Sequence, residues 1–259
     1  MNKLTLIAGP CLAESLSLLD EVCSHLLQVI DNDKIDFYFK ASYRKANRTS
    51  INSISGVGDS KALDWIAQIA SKYNVKTITD IHSDNEAKMA AEFVDVLQIP
   101  AFLSRQTDIL LAAGNTGKVV NIKKAQFMAP EDVIKAADKV RSTGNSQILL
   151  TERGTFFGYH DLVVDFRSMI TMKQSIYPVI YDATHSVQQP SKGEVSGGRP
   201  EFILPLAYSA LNLGIDGIFF ETHPEPKLAL SDAATQLKLS EVDSFINNLK
   251  KIYDFRQSL

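Results

Sequence analysis

Eight short apolar runs alternate with longer amphipathic stretches along the chain, and that alternation constrains the fold more than any other feature. The runs are Leu4–Ala8, Asp36–Ala41, Lys76–Asp80, Val94–Ile99, Val119–Lys123, Gln147–Leu150, Val179–Asp182 and Gly217–Glu221. Each is bounded by turn or polar residues, the pattern of strands buried on both faces. The stretches between them predict helices over Ser15–Ile30, Ser60–Tyr73, Asn85–Phe93, Gln106–Gly114, Pro130–Ser142, Val163–Gln174 and Pro200–Leu213, with a last one over Leu239–Tyr253. Asp84, Ala129-Pro130 and Ser240 read as helix starts, and Gly114, Gly144 and Gly214 as stops. Eight strand–helix pairs is the count of a (β/α)8 barrel. The competing doubly wound open sheet would carry a glycine-rich phosphate turn after its first strand. Here that strand runs into Ala8-Gly9-Pro10-Cys11. No linker interrupts the pattern, so the expected architecture is one α/β domain, a TIM barrel, over residues 1–259.

A chain of 259 residues suits that reading, since single barrels of this kind run to about 250. Lys and Arg total 27 against 30 Asp and Glu, a net charge of −3, which argues against a general nucleic-acid or membrane-surface binder. It leaves room for a local basic pocket. The 45% hydrophobic content, with no long polar tract, excludes disorder. Cys11 and Cys23 cannot form a disulfide framework and point to a reducing compartment. No apolar run reaches transmembrane length, and Met1-Asn2-Lys3-Leu4 leads straight into a strand without the anatomy of a signal peptide. The expectation is a cytoplasmic protein.

In a barrel of this type the active site lies at the C-terminal ends of the strands. The unusual polar residues of this chain fall there. Lys40, Lys45, Arg48, Lys123 and Arg153 are costly to bury without anions, so five cations at one mouth point to a ligand with several phosphate or carboxylate groups. The plainer alternative makes each an ordinary rim charge. Cys11, His185, Glu221 and Asp232 offer the sulfur, nitrogen and oxygen donors of a divalent transition metal. Strands 7, 8 and 1 become neighbours when the barrel closes, which brings these four to one corner. The alternative there is an inert buried cysteine beside hydrogen-bonded neighbours. Trp65, Ile66, Ile69 and Ala70 have helical spacing and read as core. Cys23 reads as a small buried hydrophobe, and His25 as a surface residue. The Gly- and Ser-rich stretch from Gln189 to Gly198 reads as a long active-face loop, favoured as a lid.

Several motifs together carry a resemblance to a known family. They are Ala8-Gly9-Pro10-Cys11, Lys45-Ala46-Asn47-Arg48-Thr49-Ser50, Ile99-Pro100-Ala101-Phe102-Leu103-Ser104-Arg105-Gln106, Thr151-Glu152-Arg153-Gly154, Asp182-Ala183-Thr184-His185-Ser186 and Glu221-Thr222-His223-Pro224-Glu225-Pro226. From Leu4 to about Leu239 the chain resembles the 3-deoxy-D-manno-octulosonate 8-phosphate synthases. The resemblance implies a cytoplasmic homotetramer of (β/α)8 barrels. It also implies condensation of phosphoenolpyruvate with D-arabinose 5-phosphate for lipopolysaccharide synthesis. Lys45, Lys123 and Arg153 would hold the phosphate and carboxylate of phosphoenolpyruvate, with Gln126, Gln188 and the Ala101–Phe102 backbone nearby. Asn47, Arg48 and Thr49 would hold the sugar phosphate, completed by Arg105 of a neighbouring subunit. Lys40 and Ser42 would line the reacting region. Cys11, His185, Glu221 and Asp232 match the ligands of the metal-dependent branch, whose metal would be Zn, Fe, Mn or Co. The metal-independent branch has Asn where Cys11 stands.

Two departures stand out. Tyr43-Arg44 replaces the family's usual Phe-Asp, adding a cation that could alter sugar binding or pair at a subunit contact. Pro200 stands after the Gly-Gly pair where an Arg is common. The nearest rival is 3-deoxy-D-arabino-heptulosonate 7-phosphate synthase, a related barrel with a similar metal site. It has Lys-Pro-Arg-Thr-Ser in place of Lys45-Ala46-Asn47-Arg48-Thr49-Ser50, so Asn47 favours the five-carbon sugar. A rival of another class is a non-catalytic anion-binding barrel, against which the intact metal ligands and cations both argue.

Overall fold

In the computed structural model, which describes residues 3–47, 53–190 and 197–258, eight parallel strands close into a barrel ringed by eight helices. The strands are β1 (Leu4–Gly9), β2 (Ile35–Lys40), β3 (Lys76–Asp80), β4 (Val96–Ile99), β5 (Val119–Lys123), β6 (Ile148–Glu152), β7 (Val179–Asp182) and β8 (Gly217–His223). Each pairs with the next, and β8 returns to β1 in a register running from Thr5 opposite Gly217 to Gly9 opposite Glu221. The helices are α1 (Leu16–Val29), α2 (Asp59–Tyr73), α3 (Asp84–Ala91), α4 (Thr107–Asn115), α5 (Pro130–Arg141), α6 (Phe166–Met172), α7 (Ile203–Asn212) and α8 (Val242–Gln257). The (β/α)8 expectation is met, and the open sheet is excluded by the β8–β1 ladder.

The barrel interior explains where the chemistry falls. Every strand places one apolar side chain in a single internal cluster: Ile7, Tyr38, Ile78, Val96, Val119, Leu149, Ile180 and Phe219. Side chains alternate along a strand with period two, so the residue two positions further on points to the same interior one step nearer the mouth. Those residues are Gly9, Lys40, Asp80, Gln98, Asn121, Thr151, Asp182 and Glu221. An apolar plug is thus capped by a polar ring, buried on all sides. At Gly9 a Cβ would stand 2.1 Å from the Lys40 carbonyl oxygen, so only glycine lets β1 lie this close to β2 at the ring.

The outward-facing strand residues pack against the helices in a second, larger cluster that includes Leu6, Phe39, Leu97, Ile122, Leu150, Tyr181 and Phe220. The helix ends follow local chemistry. Ser15 caps α1 by accepting from Leu18 N at 3.1 Å, and Ser83 caps α3 through Glu86 N. Pro130 opens α5, with Glu131 and Asp132 in its first turn and Lys139 and Arg141 in its last, as the helix dipole favours.

The differences from the sequence reading lie at element ends. The helix expected from Val163 begins only at Phe166, because Leu162–Val163 pairs antiparallel with Thr155–Phe156 and Asp165 caps the helix. Pro200–Phe202 and Leu239–Glu241 are single 3₁₀ turns ahead of α7 and α8, and α8 runs on past Tyr253 to Gln257. Gly114 lies inside α4; a Cβ there would meet Thr143 Oγ1 at 2.6 Å, so it serves packing rather than termination. Gly144 and Gly214 lie just beyond α5 and α7 as stop signals should. Cys23 is buried as expected, while Trp65 is half-buried against the core with Lys61 over its ring. His25 has a partner that the sequence reading did not supply, Asp243 Oδ1 at 2.8 Å. Among the described residues no helix is long and apolar enough to cross a membrane.

Candidate active site

The strand ends open into a cavity of about 490 Å³, within the range of small-molecule sites. Its lining includes Lys40, Lys45, Asn47, Asp80, Gln98, Ala101, Phe102, Lys123, Gln126, Arg153, His185, Gln188 and Asp232. Arg48 and Thr49 lie outside the described residues, as does the middle of the loop read as a lid. The ends of that loop form a short ribbon, Gln188–Gln189 against Gly197–Gly198. Arg105 is exposed and does not line the cavity of its own barrel.

One side of the polar ring is a continuous hydrogen-bonded chain. Ser42 donates to Asp80, and Gln98 Nε2 donates to the other Asp80 oxygen at 2.5 Å. Asn121 Nδ2 donates to Gln98 Oε1 at 2.9 Å, and Thr151 donates to Asn121 Oδ1 at 2.7 Å. Each member has its partner, so both amides have one permitted orientation. Asp80 also faces the cations. Burial pushes its carboxyl up, but Lys40, Lys45 and Lys123 outweigh burial and hold it well below the usual carboxylate range.

The cations of the other side are held by neighbours. Lys123 Nζ donates to Asp182 Oδ2 at 2.6 Å and lies 3.7 Å from the centre of the Phe219 ring. Burial lowers its pKa below the ordinary lysine value. Arg153 donates from Nη2 to Gln188 Oε1 at 3.1 Å. Its Nη1, buried at the cavity wall, has no hydrogen-bond partner among the described residues. Buried donors are rarely left unpaired, so this one suits an oxygen of an anionic ligand. Lys45 is half-buried, and burial would lower its pKa. Cys11, Glu221, Asp80 and Asp232 overcome that and raise it well above the lysine value.

The four expected metal ligands do meet at one corner. One atom each from Cys11, Glu221 and Asp232 lies within 4.8 Å of the others, with Cys11 Sγ 3.1 Å from Asp232 Oδ2. His185 lies just outside that trio, its Nε2 3.6 Å from both Glu221 Oε1 and Asp232 Oδ2. His185 Nδ1 lies 2.8 Å from Asp182 Oδ2, a pairing that orients the ring and directs Nε2 at the two carboxylates, where it would ligate an ion. Glu221 Oε1 accepts from Lys40 Nζ at 2.5 Å, while Oε2 is buried without a hydrogen-bond partner among the described residues. Burial, then Asp232 and Glu221, push the Cys11 thiol up. A divalent cation is what lets such a thiol ionise, and it would also satisfy the orphaned Glu221 oxygen. The donor set fits a metal ion, and Cys11, Glu221, Asp232 and His185 are the residues that could hold it.

Phe219 escaped the sequence reading, which places Asp182, Gln98 and Asn121 at strand ends but gives them no role. Phe219 lies beneath both Lys123 and Lys40 as part of the apolar plug. Asp182 serves Lys123 and His185 together. Gln98 and Asn121 carry the polar chain. Period two counted from the strand cores marks Asp80, Gln98, Asn121 and Asp182 as mouth-facing; nothing marks Phe219. Arg44, the added cation, pairs within its own chain, with Glu86 and with Asp59 at 3.7 Å.

The family model described as the DAHP synthetase I family matches residues 1–257. A protein of Koribacter versatilis (strain Ellin345) is 50% identical over 254 residues, covering 96% of this chain and 91% of its own length. One from Granulibacter bethesdensis is 49% identical over 247 residues, with 95% and 88% covered. One from Citrifermentans bemidjiense is 46% identical over 252 residues, with 97% and 92% covered. All three bear the name 2-dehydro-3-deoxyphosphooctonate aldolase, a synonym of 3-deoxy-D-manno-octulosonate 8-phosphate synthase. With the barrel, the cationic cavity and the metal corner in place, the chain belongs to the DAHP synthetase I family and, within it, to the 2-dehydro-3-deoxyphosphooctonate aldolases.

Proposed function

We infer that the chain condenses phosphoenolpyruvate with D-arabinose 5-phosphate and water, releasing 3-deoxy-D-manno-octulosonate 8-phosphate and inorganic phosphate for lipopolysaccharide synthesis. The observation that carries this reading is the shared cavity: Lys45, Lys123 and Arg153 line it together with His185 and Asp232 of the metal corner. The names of relatives at 46–50% identity support it.

Clamping two anionic substrates against each other needs fixed cations, and positioning them supplies much of the rate. Lys45, Lys123 and Arg153 take the phosphate and carboxylate of phosphoenolpyruvate. Gln126, Gln188 and the Ala101–Phe102 backbone complete its pocket. Asn47, Arg48 and Thr49 take the sugar phosphate, finished by Arg105 from a neighbouring subunit of a homotetramer. Lys40 and Ser42 border the reacting carbons. C3 of phosphoenolpyruvate forms the new bond to the aldehyde carbon, C2 gains positive character and takes up water, and phosphate departs by C–O cleavage. Cys11, His185, Glu221 and Asp232 hold a divalent transition metal, Zn²⁺, Fe²⁺, Mn²⁺ or Co²⁺, because sulfur and nitrogen donors disfavour Mg²⁺. When bound, that ion orients the aldehyde or the attacking water. The enzyme works in the cytoplasm, without nucleic-acid or membrane partners.

The heptulosonate rival shares the name of the family model, so the sugar decides between them. Purified protein releases phosphate from phosphoenolpyruvate with arabinose 5-phosphate and not with erythrose 4-phosphate. Faster turnover with the four-carbon sugar overturns the assignment.

A further inference from the structure

Glu86 lies outside the cavity at the start of α3, yet two elements of the cavity wall converge on it. Its side chain is 14% exposed. One oxygen, Oε2, accepts from the Tyr43 hydroxyl, from His82 N at 2.8 Å and from His82 Nδ1 at 2.9 Å. The other, Oε1, accepts from Arg44 Nη2 and from the Ser83 hydroxyl at 3.3 Å. Burial alone would raise its carboxyl, but the His82 and Tyr43 hydrogen bonds outweigh burial and hold it at about 2.

Both groups of donors lead to the cavity. Tyr43 and Arg44 immediately precede Lys45, Ala46 and Asn47, which line it; so does His82. Tyr43 is fully buried, its amide donating to Thr79 Oγ1 at 3.2 Å and its ring set edge-on to the His82 imidazole at 5.7 Å. Arg44 reaches from the same segment to the first turn of α2 as well, at Asp59. Lys45 N is tied to Ser55 O at 2.7 Å. One carboxylate thus helps to hold the segment that leads into the sugar-phosphate motif and also fixes a histidine of the neighbouring wall. On the phosphoenolpyruvate side Lys123 is held by Asp182, Arg153 by Gln188, and the Lys45 ammonium lies in the field of Cys11, Glu221, Asp80 and Asp232; none of the three has a hydrogen bond or ion pair to Glu86 among the described residues.

We propose that Glu86 is a positioning residue for the sugar-phosphate half of the site, acting through Tyr43-Arg44 on the backbone that leads to Asn47 and through its own bonds on His82. The proposal rests on the reading of that half given under Proposed function. It separates the two substrates: loosening the Glu86 cluster weakens capture of the aldose phosphate and leaves phosphoenolpyruvate binding in place.

The test compares Glu86→Gln, which keeps the shape and loses the charge, with Arg44→Met and Tyr43→Phe. Glu86→Gln raises the KM for arabinose 5-phosphate about tenfold, the scale of a lost charge-assisted contact, and moves the KM for phosphoenolpyruvate less than twofold. Calorimetric titration of phosphoenolpyruvate alone gives the wild-type affinity. Arg44→Met and Tyr43→Phe shift the same constant in the same direction by smaller factors, and Arg44→Met adds nothing on top of Glu86→Gln. Equal changes in both constants mark a merely structural role and overturn the proposal, as do unchanged constants in all three variants. Should Glu86→Gln fail to fold, the half-exposed Arg44 and the single-hydroxyl change at Tyr43 carry the same split. Wild-type protein inactive towards arabinose 5-phosphate would instead overturn the functional reading, before any variant is compared.

Discussion

Lys123 Nζ and His185 Nδ1 share one acceptor, Asp182 Oδ2, at 2.6 and 2.8 Å. A single carboxylate with no exposed surface therefore links the proposed phosphoenolpyruvate clamp to the candidate metal corner. Removing one partner of a buried ion pair costs about 3–5 kcal/mol. Asp182→Ala is thus expected to lower Tm by roughly 10 °C, at the few degrees per kcal/mol of a domain this size. Asp182→Asn, which keeps the shape, loses about 10- to 100-fold in metal affinity through misorientation of His185. It also weakens phosphoenolpyruvate binding. Calorimetric titration with each ligand checks whether one substitution strikes both halves.

The corner itself predicts a dependence on metal. A strong chelator abolishes turnover, and a divalent transition metal restores it. His185→Ala loses metal and activity together, whereas Lys123→Ala retains the metal and loses phosphoenolpyruvate affinity. Elemental analysis of each variant beside its kinetics separates these outcomes. Full activity in demonstrably metal-free protein would remove the metal from the mechanism.

Stability of the metal-free protein should fall away on both sides of a mildly acidic optimum. The carboxyls of Asp80 and Glu86 are depressed in the fold, so the unfolded chain binds more protons below its own values of about 4. Their contribution is complete above about pH 5 and is lost as the pH falls. His185 is shifted the other way. Burial lowers it, but Asp182 and Glu221 outweigh burial and raise it, so its contribution is complete below about pH 6.5 and is lost as the pH rises through the folded value. Urea midpoints measured from pH 3 to 9 (about three units either side of that optimum) are expected to peak between roughly pH 5 and 6.5.

Arg105 gives a test of the assembly. It is exposed and off the cavity of its own barrel, although the proposed function assigns it to the sugar phosphate. Mixing Arg105→Ala protein with Arg48→Ala protein should restore part of the activity in hybrid oligomers. No restoration under proven subunit exchange would count against a shared site.

What the sequence made legible follows from periodicity. Strands read from apolar runs, and the mouth-facing set follows by counting in twos. That is how Lys40, Asp80, Asp182 and Glu221 come to one ring. Counting fails where two patterns compete: Val163 fits a helical stripe, yet it pairs with Thr155. It also fails where partners are remote. Arg44 and Glu86 are 42 residues apart, and no local spacing tells which helix start the Arg44 side chain will reach. Phe219 looks like any strand aromatic until the barrel closes beneath two lysines.

The closure between β8 and β1 also sets when the metal corner can exist during synthesis. Cys11 and Asp232 are 221 residues apart. At about 5–20 residues per second a ribosome needs roughly 10–45 s to travel from one to the other. Over most of that interval the Cys11 thiol is present without His185, Glu221 and Asp232, the three groups with which it would share an ion. A metal finger coded within a few turns of chain can load while translation continues. An ion at this corner would load only after the last strand had met the first, drawn from whatever the cell offers to a barrel already shut.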